Sequence, residues 1–235
     1  MKSNQTSMIF KLLLVIAGLA LFSVASYAAF SLDLVAKVAV TSFEALVKSI
    51  PGKVVLDTEK GGWAISGLDR KDRIILSNDF SRSNPDIALE FDAAPFVKAG
   101  LDVSKLPSGQ YQFNKTTGKL TLPFEYGKDK FGVDAQKSVL NTFKQIVKTH
   151  RKIIGYHEVL DHYGIALGDG NMFEWAKDLS TNDKDMVFVL NPQPLINAGV
   201  NPDKVTEWVF GKVQIKDENG KPVTVDKFLK PFNIR

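Results

Sequence analysis

PFVKAGLDVSKL, residues 95–106, returns as PLINAGVNPDKV, residues 194–205, and this pair decides how the chain is read. In each, a proline opens the segment, a glycine stands five residues on, and Asp102 or Asn201 follows two residues later. Proline fits the first turn of a short helix, where a missing amide costs nothing. Glycine suits a left-handed residue that ends it. Aspartate and asparagine cap a following turn, and Pro202 stands at the first position of the second one. The repeated residues are therefore those a helical corner demands of the backbone.

The repetition extends outward from the corner. DIALEFD at 86–92 becomes DMVFVLN at 185–191, and FEALVK at 43–48 becomes FKQIVK at 143–148. Downstream, QFNKTTGK at 112–119 reads as QIKDENGK at 214–221, so the spacing between copies stays between 99 and 102 residues. A period that long marks two domain-sized units, not a solenoid of short repeats.

Each unit opens with an amphipathic helix. In the first, Val35, Val38, Ser42, Phe43, Leu46, Val47 and Ile50 recur at helical spacing, and Pro51-Gly52 stops the run. In the second, Asp134 is the expected N-cap, Val139, Leu140, Phe143, Ile146, Val147 and Ile154 form the apolar side, and Gly155 is the expected stop. Strands are expected at 53–57, 63–66, 73–77 and 86–92, with turn residues between them. Ile87, Leu89 and Phe91 alternate with Ala88, Glu90 and Asp92 as in a half-buried strand, whereas residues 186–190 are apolar throughout and read as covered on both faces. Each copy closes with a hairpin turning at Thr117-Gly118 or Asn219-Gly220. The fold class is therefore α+β: a tandem duplication of a unit of about 100 residues, comprising helix, antiparallel sheet, helical corner and hairpin, packed about a pseudo-twofold axis. The first copy spans 31–130 and the second 131–235.

Residues 1–28 differ in kind. Lys2 and Lys11 precede an apolar run, and small residues lead to Ser26-Tyr27-Ala28, the pattern of a secretory signal peptide cleaved after Ala28. The competing reading is an uncleaved anchor over 9–30, which is long enough to span a bilayer. The small-residue end favours cleavage and an extracytoplasmic location, whether secreted, periplasmic or cell-surface. Without the two leader lysines the net charge falls from +4 to +2, with signs mixed along the chain. That gives no electrostatic footprint for nucleic acid. The chain has no cysteine, hence neither disulfide nor thiolate metal site, which suits an exported bacterial protein whose core is large enough without staples.

Chemistry-bearing residues are sparse. No GxSxG elbow, P-loop, dinucleotide-binding glycine pattern or cysteine nucleophile occurs. All three histidines fall within 150–162, around YHEVLDHYG at 156–164. His157 and Asp161, four residues apart, are candidate ligands for a divalent metal, with His150 joining them if the helix continues unbroken. The spacing is not the HExxH zinc motif. No other cofactor is indicated. Trp63 and Tyr163 occupy corresponding positions and read as packing. Trp175 and Trp208 face Ile75 and Ser108 or Gly109 in the alignment of the copies, so they are the candidate ligand-binding residues acquired by one copy.

These readings rank three functions. The first is an exported, non-enzymatic binding or assembly protein of the cell envelope, with an envelope protein or peptide as partner and membrane contact only through an uncleaved N-terminus. The second is a metal-dependent hydrolase or metal-binding protein using the His157/Asp161 cluster. The third is a surface subunit that polymerises through its sheet edges.

Overall fold

The computed structural model describes residues 29–79, 85–125, 136–157, 161–180, 184–216 and 221–235. The signal-peptide segment, Asp134 and the Asn219-Gly220 turn lie outside the described residues. The architecture is α+β: two six-stranded antiparallel sheets and few helices.

Helix α1 (Ala29–Ser49) leads into β1 (Val54–Asp57), β2 (Gly62–Ser66), β3 (Arg73–Ser77) and β4 (Ile87–Asp92). The short helix α2 (Ala94–Lys98), a 3-10 turn (Val103–Lys105), β5 (Gln112–Asn114) and β6 (Lys119–Phe124) follow. The chain then runs through α3 (Val139–Thr149), a 3-10 turn (Arg151–Ile153), β7 (Ile154–His157), β8 (His162–Ala166), β9 (Met172–Ala176) and β10 (Met186–Leu190). It ends with α4 (Gln193–Asn197), a 3-10 turn (Pro202–Lys204), β11 (Val209–Lys216) and β12 (Pro222–Phe232). The first sheet is ordered β1-β2-β3-β4-β6-β5 and the second β7-β8-β9-β10-β12-β11, so the strands follow one order in both.

The corner segments take the expected local form. Each short helix has proline in its first turn. Gly100 and Gly199 have φ of +108° and +101°. Asp102 and Asn201 accept hydrogen bonds from the amides of Ser104 and Asp203. The two corners also meet. The Asp102 amide donates to the Ala198 carbonyl at 2.8 Å and the Asn201 amide to the Ala99 carbonyl at 2.9 Å. A Cβ on Gly100 would lie 2.7 Å from the Gly199 carbonyl oxygen, and one on Gly199 would lie 2.8 Å from that of Gly100. Glycine is thus required twice over, by the positive φ and by the approach of one backbone to another.

The helices cross between the sheets. Helix α1 packs against β7 of the second sheet and α3 against β3 of the first. The Ser42 hydroxyl donates to the Ala176 carbonyl on β9, and the Trp63 indole on β2 donates to the Gln136 carbonyl ahead of α3. Phe43 and Phe143, at corresponding places in the two helices, stack with centroids 3.9 Å apart. Around them lies one core to which both sheets contribute. The tail of the chain adds a further tie, because the Leu68 amide donates to the Asn233 carbonyl and the Lys53 ammonium to that of Ile234.

Several local expectations are corrected. The buried stripe of α1 is Ala36, Ala39, Ser42, Phe43 and Leu46, with Ile50 buried just past its end, and Val38 is exposed. Helix α3 is capped by Ser138, whose hydroxyl accepts from the Asn141 amide, and it ends at Thr149, leaving Ile154 and Gly155 to β7. Strand β4 is buried on both faces, because Glu90 is covered as well as Leu89 and Phe91. It holds the same central place as β10.

The hairpin alignment shifts too. Phe113 opposes Leu120, which opposes Phe91; Phe210 opposes Phe228, which opposes Leu190. Gln112 therefore corresponds to Val209 and not to Gln214, and Trp208 corresponds to Tyr111. By the same registers Trp175 corresponds to Leu76.

Candidate functional site

The polar group most deeply enclosed in the second sheet is Glu174. On β9, Phe173 and Trp175 face the main core, so alternation turns Glu174 to the other side. Glu174 opposes Gly164 on β8, and Gly164 opposes Gly155 on β7. Neither glycine projects a side chain over the carboxylate. In the next row His162 opposes His157, so both imidazoles share that face. His157 Nδ1 lies 3.6 Å from Glu174 Oε1, and His162 Nδ1 lies 3.6 Å from Oε2. Exposure is 0% for Glu174, 1% for His157 and 3% for His162.

Burial works to raise the Glu174 pKa, but the two imidazoles facing its oxygens outweigh it and hold the carboxyl below its ordinary value. Among the described residues, neither oxygen of Glu174 and neither ring nitrogen of His162 has a hydrogen bond of ordinary geometry. The arrangement places one carboxylate between two bases, each facing a different oxygen. With Glu174 fully buried, the carboxylate is out of contact with solvent.

The first sheet solves the same problem with permanent charge. Glu90, buried on β4, accepts from Arg73 at 2.6 and 3.2 Å and from Lys119 at 3.2 Å. Arg73 also pairs with Asp57 at 2.9 Å. Burial again opposes ionisation, and Arg73 and Lys119 overcome it to lower the Glu90 pKa. Lys119 donates to the Arg70 carbonyl, and Lys227 on β12 donates to the Gly170 carbonyl in the matching loop.

A third buried charge lies where the sheets meet. Asp72 is 1% exposed, and its Oδ2 lies 3.7 Å from the Lys230 ammonium, which reaches Glu207 at 3.0 Å. Burial dominates here and raises the Asp72 pKa to about 6, with Lys230 opposing the rise. In the second sheet Asn171 takes this place, its side-chain oxygen accepting from the Asn191 amide.

The residues singled out from sequence go to different places. Asp161 sits in the turn before β8, where it accepts from the Tyr156 hydroxyl and from the Lys177 ammonium. Tyr156 and His157 are neighbours on one strand and point to opposite faces, so Asp161 binds on the side away from His157. His150 is the C-cap residue of α3, where burial lowers its pKa and Asp86 opposes the shift. The three do not converge. Among the described residues, no group of three or more His, Asp or Glu side chains is placed to hold a metal ion. Trp175 is fully buried against Phe43 and Phe143, and Trp208 is buried against Phe91 and Phe96.

Sequence reading passed over His162 and Glu174. The available signal was the Gly155/Gly164 pair beside a glutamate in an otherwise apolar strand, and it becomes legible only once the register is known. No family model matches the chain, and comparison with curated proteins and with solved structures returns no match.

Proposed function

We propose that this is an exported, non-enzymatic binding or assembly protein of the cell envelope, built from two copies of one α+β unit related by a pseudo-twofold axis. The sequence repeat, the shared strand order, the reciprocal bonds between the corners and the Phe43–Phe143 stack support the duplication. The leader-like N-terminus supports export. Among the described residues no helix is long and apolar enough to cross a membrane.

The observation that carries the binding reading is the β11 edge. Its counterpart β5 has three residues, whereas β11 has eight. Strand β10 accompanies β12 only over Phe228–Phe232, so the pairs from Lys212↔Asp226 to Lys216↔Pro222 form a two-stranded ribbon with no third strand among the described residues. Such a ribbon is marginal in water and gains from an added strand. An extended peptide from a partner supplies one by backbone pairing.

A photoreactive residue at Lys212, expressed with the full chain, tests this. Cross-linking in intact cells to a discrete envelope partner, well above a control at Lys98 on α2, is the expected result. No product above that control, or a product only with cytoplasmic proteins, overturns it. A cross-link to a second copy, with reversible concentration-dependent sedimentation, selects the polymerising-subunit reading. The metal-dependent hydrolase reading draws no support from the placement of His150, His157 and Asp161.

A further inference from the structure

The exchange of helices covers one sheet edge and leaves its counterpart open. In the second sheet α1 packs on the edge strand β7, where Ile154 and His157 are buried and Tyr156 is half-buried. In the first sheet α3, with 11 residues against the 21 of α1, packs on β3, two strands in from the edge. The difference shows on β1, at the residues that correspond to Gly155 and Tyr156. Val55 is 51% exposed and Leu56 44%. Among the described residues, no other edge strand carries a large exposed hydrophobic side chain. An apolar edge of this kind is a template for a further strand.

We propose that β1 pairs with β1 of a second copy of this chain, antiparallel about a twofold axis at Val55, so that the two first sheets continue into one another. In that register the strand is its own complement. Val55 meets the partner's Val55, and Val54 meets the partner's Leu56. Lys53, just before the strand, meets the partner's Asp57 at its end, and symmetry makes this charge pair twice. Both faces match. Val54 and Leu56 oppose Ile65 and Trp63 on the core side of the sheet, and Val55 opposes Ala64 on the outer side. A shift of one residue sets Asp57 against Val54, or Lys53 against Leu56, and loses the charge pairing.

Both charges keep capacity for such a pair. Lys53 gives one of its three donors to the Ile234 carbonyl. Asp57 accepts from the Lys60 amide at one oxygen and from Arg73 at the other, and each oxygen can accept once more. The contact is isologous, so it closes at two copies and builds no filament. It is also independent of the peptide reading, because β11 belongs to the other sheet. A strand of four residues makes a small interface, which fits a weak, reversible dimer that half-associates between about 1 and 100 µM.

Sedimentation of the full mature chain from about 1 to 300 µM reads the pairing, and the expected result is a reversible step from monomer to dimer with no larger species. Val55→Lys changes an exposed side chain and sets two ammonium groups face to face at the axis, so it weakens the dimer at least about tenfold. Lys53→Glu opposes two acids at each end and weakens it as well, by less in high salt. The chain has no cysteine, so Val55→Cys adds a single thiol that the axis places opposite its own copy. Under mild oxidation it forms a linked dimer at least about tenfold faster than Val97→Cys, an exposed position on α2. A monomer at every concentration, a dimer unchanged by Val55→Lys, or linkage of Val55→Cys no faster than that of Val97→Cys overturns the proposal. A dimer that survives Val55→Lys and is lost on changing Lys212 places self-association on β11, and overturns it likewise.

Discussion

Replacing Gly100 by alanine tests the meeting of the two corners at its tightest point. Two costs follow from the structure. A φ of +108° is a backbone conformation that L side chains rarely adopt, and a left-handed residue of this kind costs about 1–2 kcal/mol. The new Cβ would also stand 2.7 Å from the Gly199 carbonyl oxygen, which belongs to a backbone that cannot rotate away. Relieving that contact separates the corners and weakens the Asp102–Ala198 and Asn201–Ala99 bonds, each contributing about 1 kcal/mol. The expected destabilisation is about 3–5 kcal/mol in urea unfolding, or a melting point lower by about 10 °C for a chain of this length. Gly118→Ala is the matched control: its φ is +67°, but nothing lies within 4 Å of the added carbon, so only the backbone cost of about 1–2 kcal/mol applies. Should Gly100→Ala fall within about 1 kcal/mol of Gly118→Ala, the corners do not hold the halves together and the reasoning fails.

Other outcomes are equally specific. Asp72 has its folded pKa raised to about 6, above the ordinary carboxylate value, so native-state stability rises as pH falls from about 6 toward 4; Asp72→Asn, which installs the amide found at Asn171, removes that rise and is more stable than the parent at pH 8 by at most about 3 kcal/mol, as read by urea unfolding at both ends of the range. Phe143→Ala deletes a ring that stacks on Phe43 and meets Trp175 edge-on, and calorimetry should show a loss of about 3–5 kcal/mol. Residues 29–130 and 131–235 produced as separate chains should co-purify and regain a cooperative transition only when mixed, because α1 and α3 each pack on the other half's sheet; two halves that each fold cooperatively alone would contradict the exchanged packing.

What could be read in advance tracks the range of the forces involved. Pro95, Gly100 and Asp102, with their counterparts, were legible because a helix start, a left-handed residue and a cap are each set within a few residues. The first four strands were legible because short apolar runs bounded by turn residues are local as well. The hairpin was misaligned because Lys-Thr-Thr-Gly-Lys and Asp-Glu-Asn-Gly-Lys look alike as turns while the strands before them differ in length, which concealed the correspondence of Trp208 with Tyr111. The Glu174 site was illegible for a related reason: residues 157, 162 and 174 become neighbours only through two strand registers and a glycine pair between them.

By itself, then, the chain determined the α+β class, the backbone form of the two helical corners and the places of the first four strands. Only the tertiary structure decided that α1 crosses to the second sheet, that Phe43 finds Phe143, and that Gly100 finds Gly199. Those contacts join residues about 100 positions apart, and no local propensity encodes which of several compatible apolar faces will be buried against which.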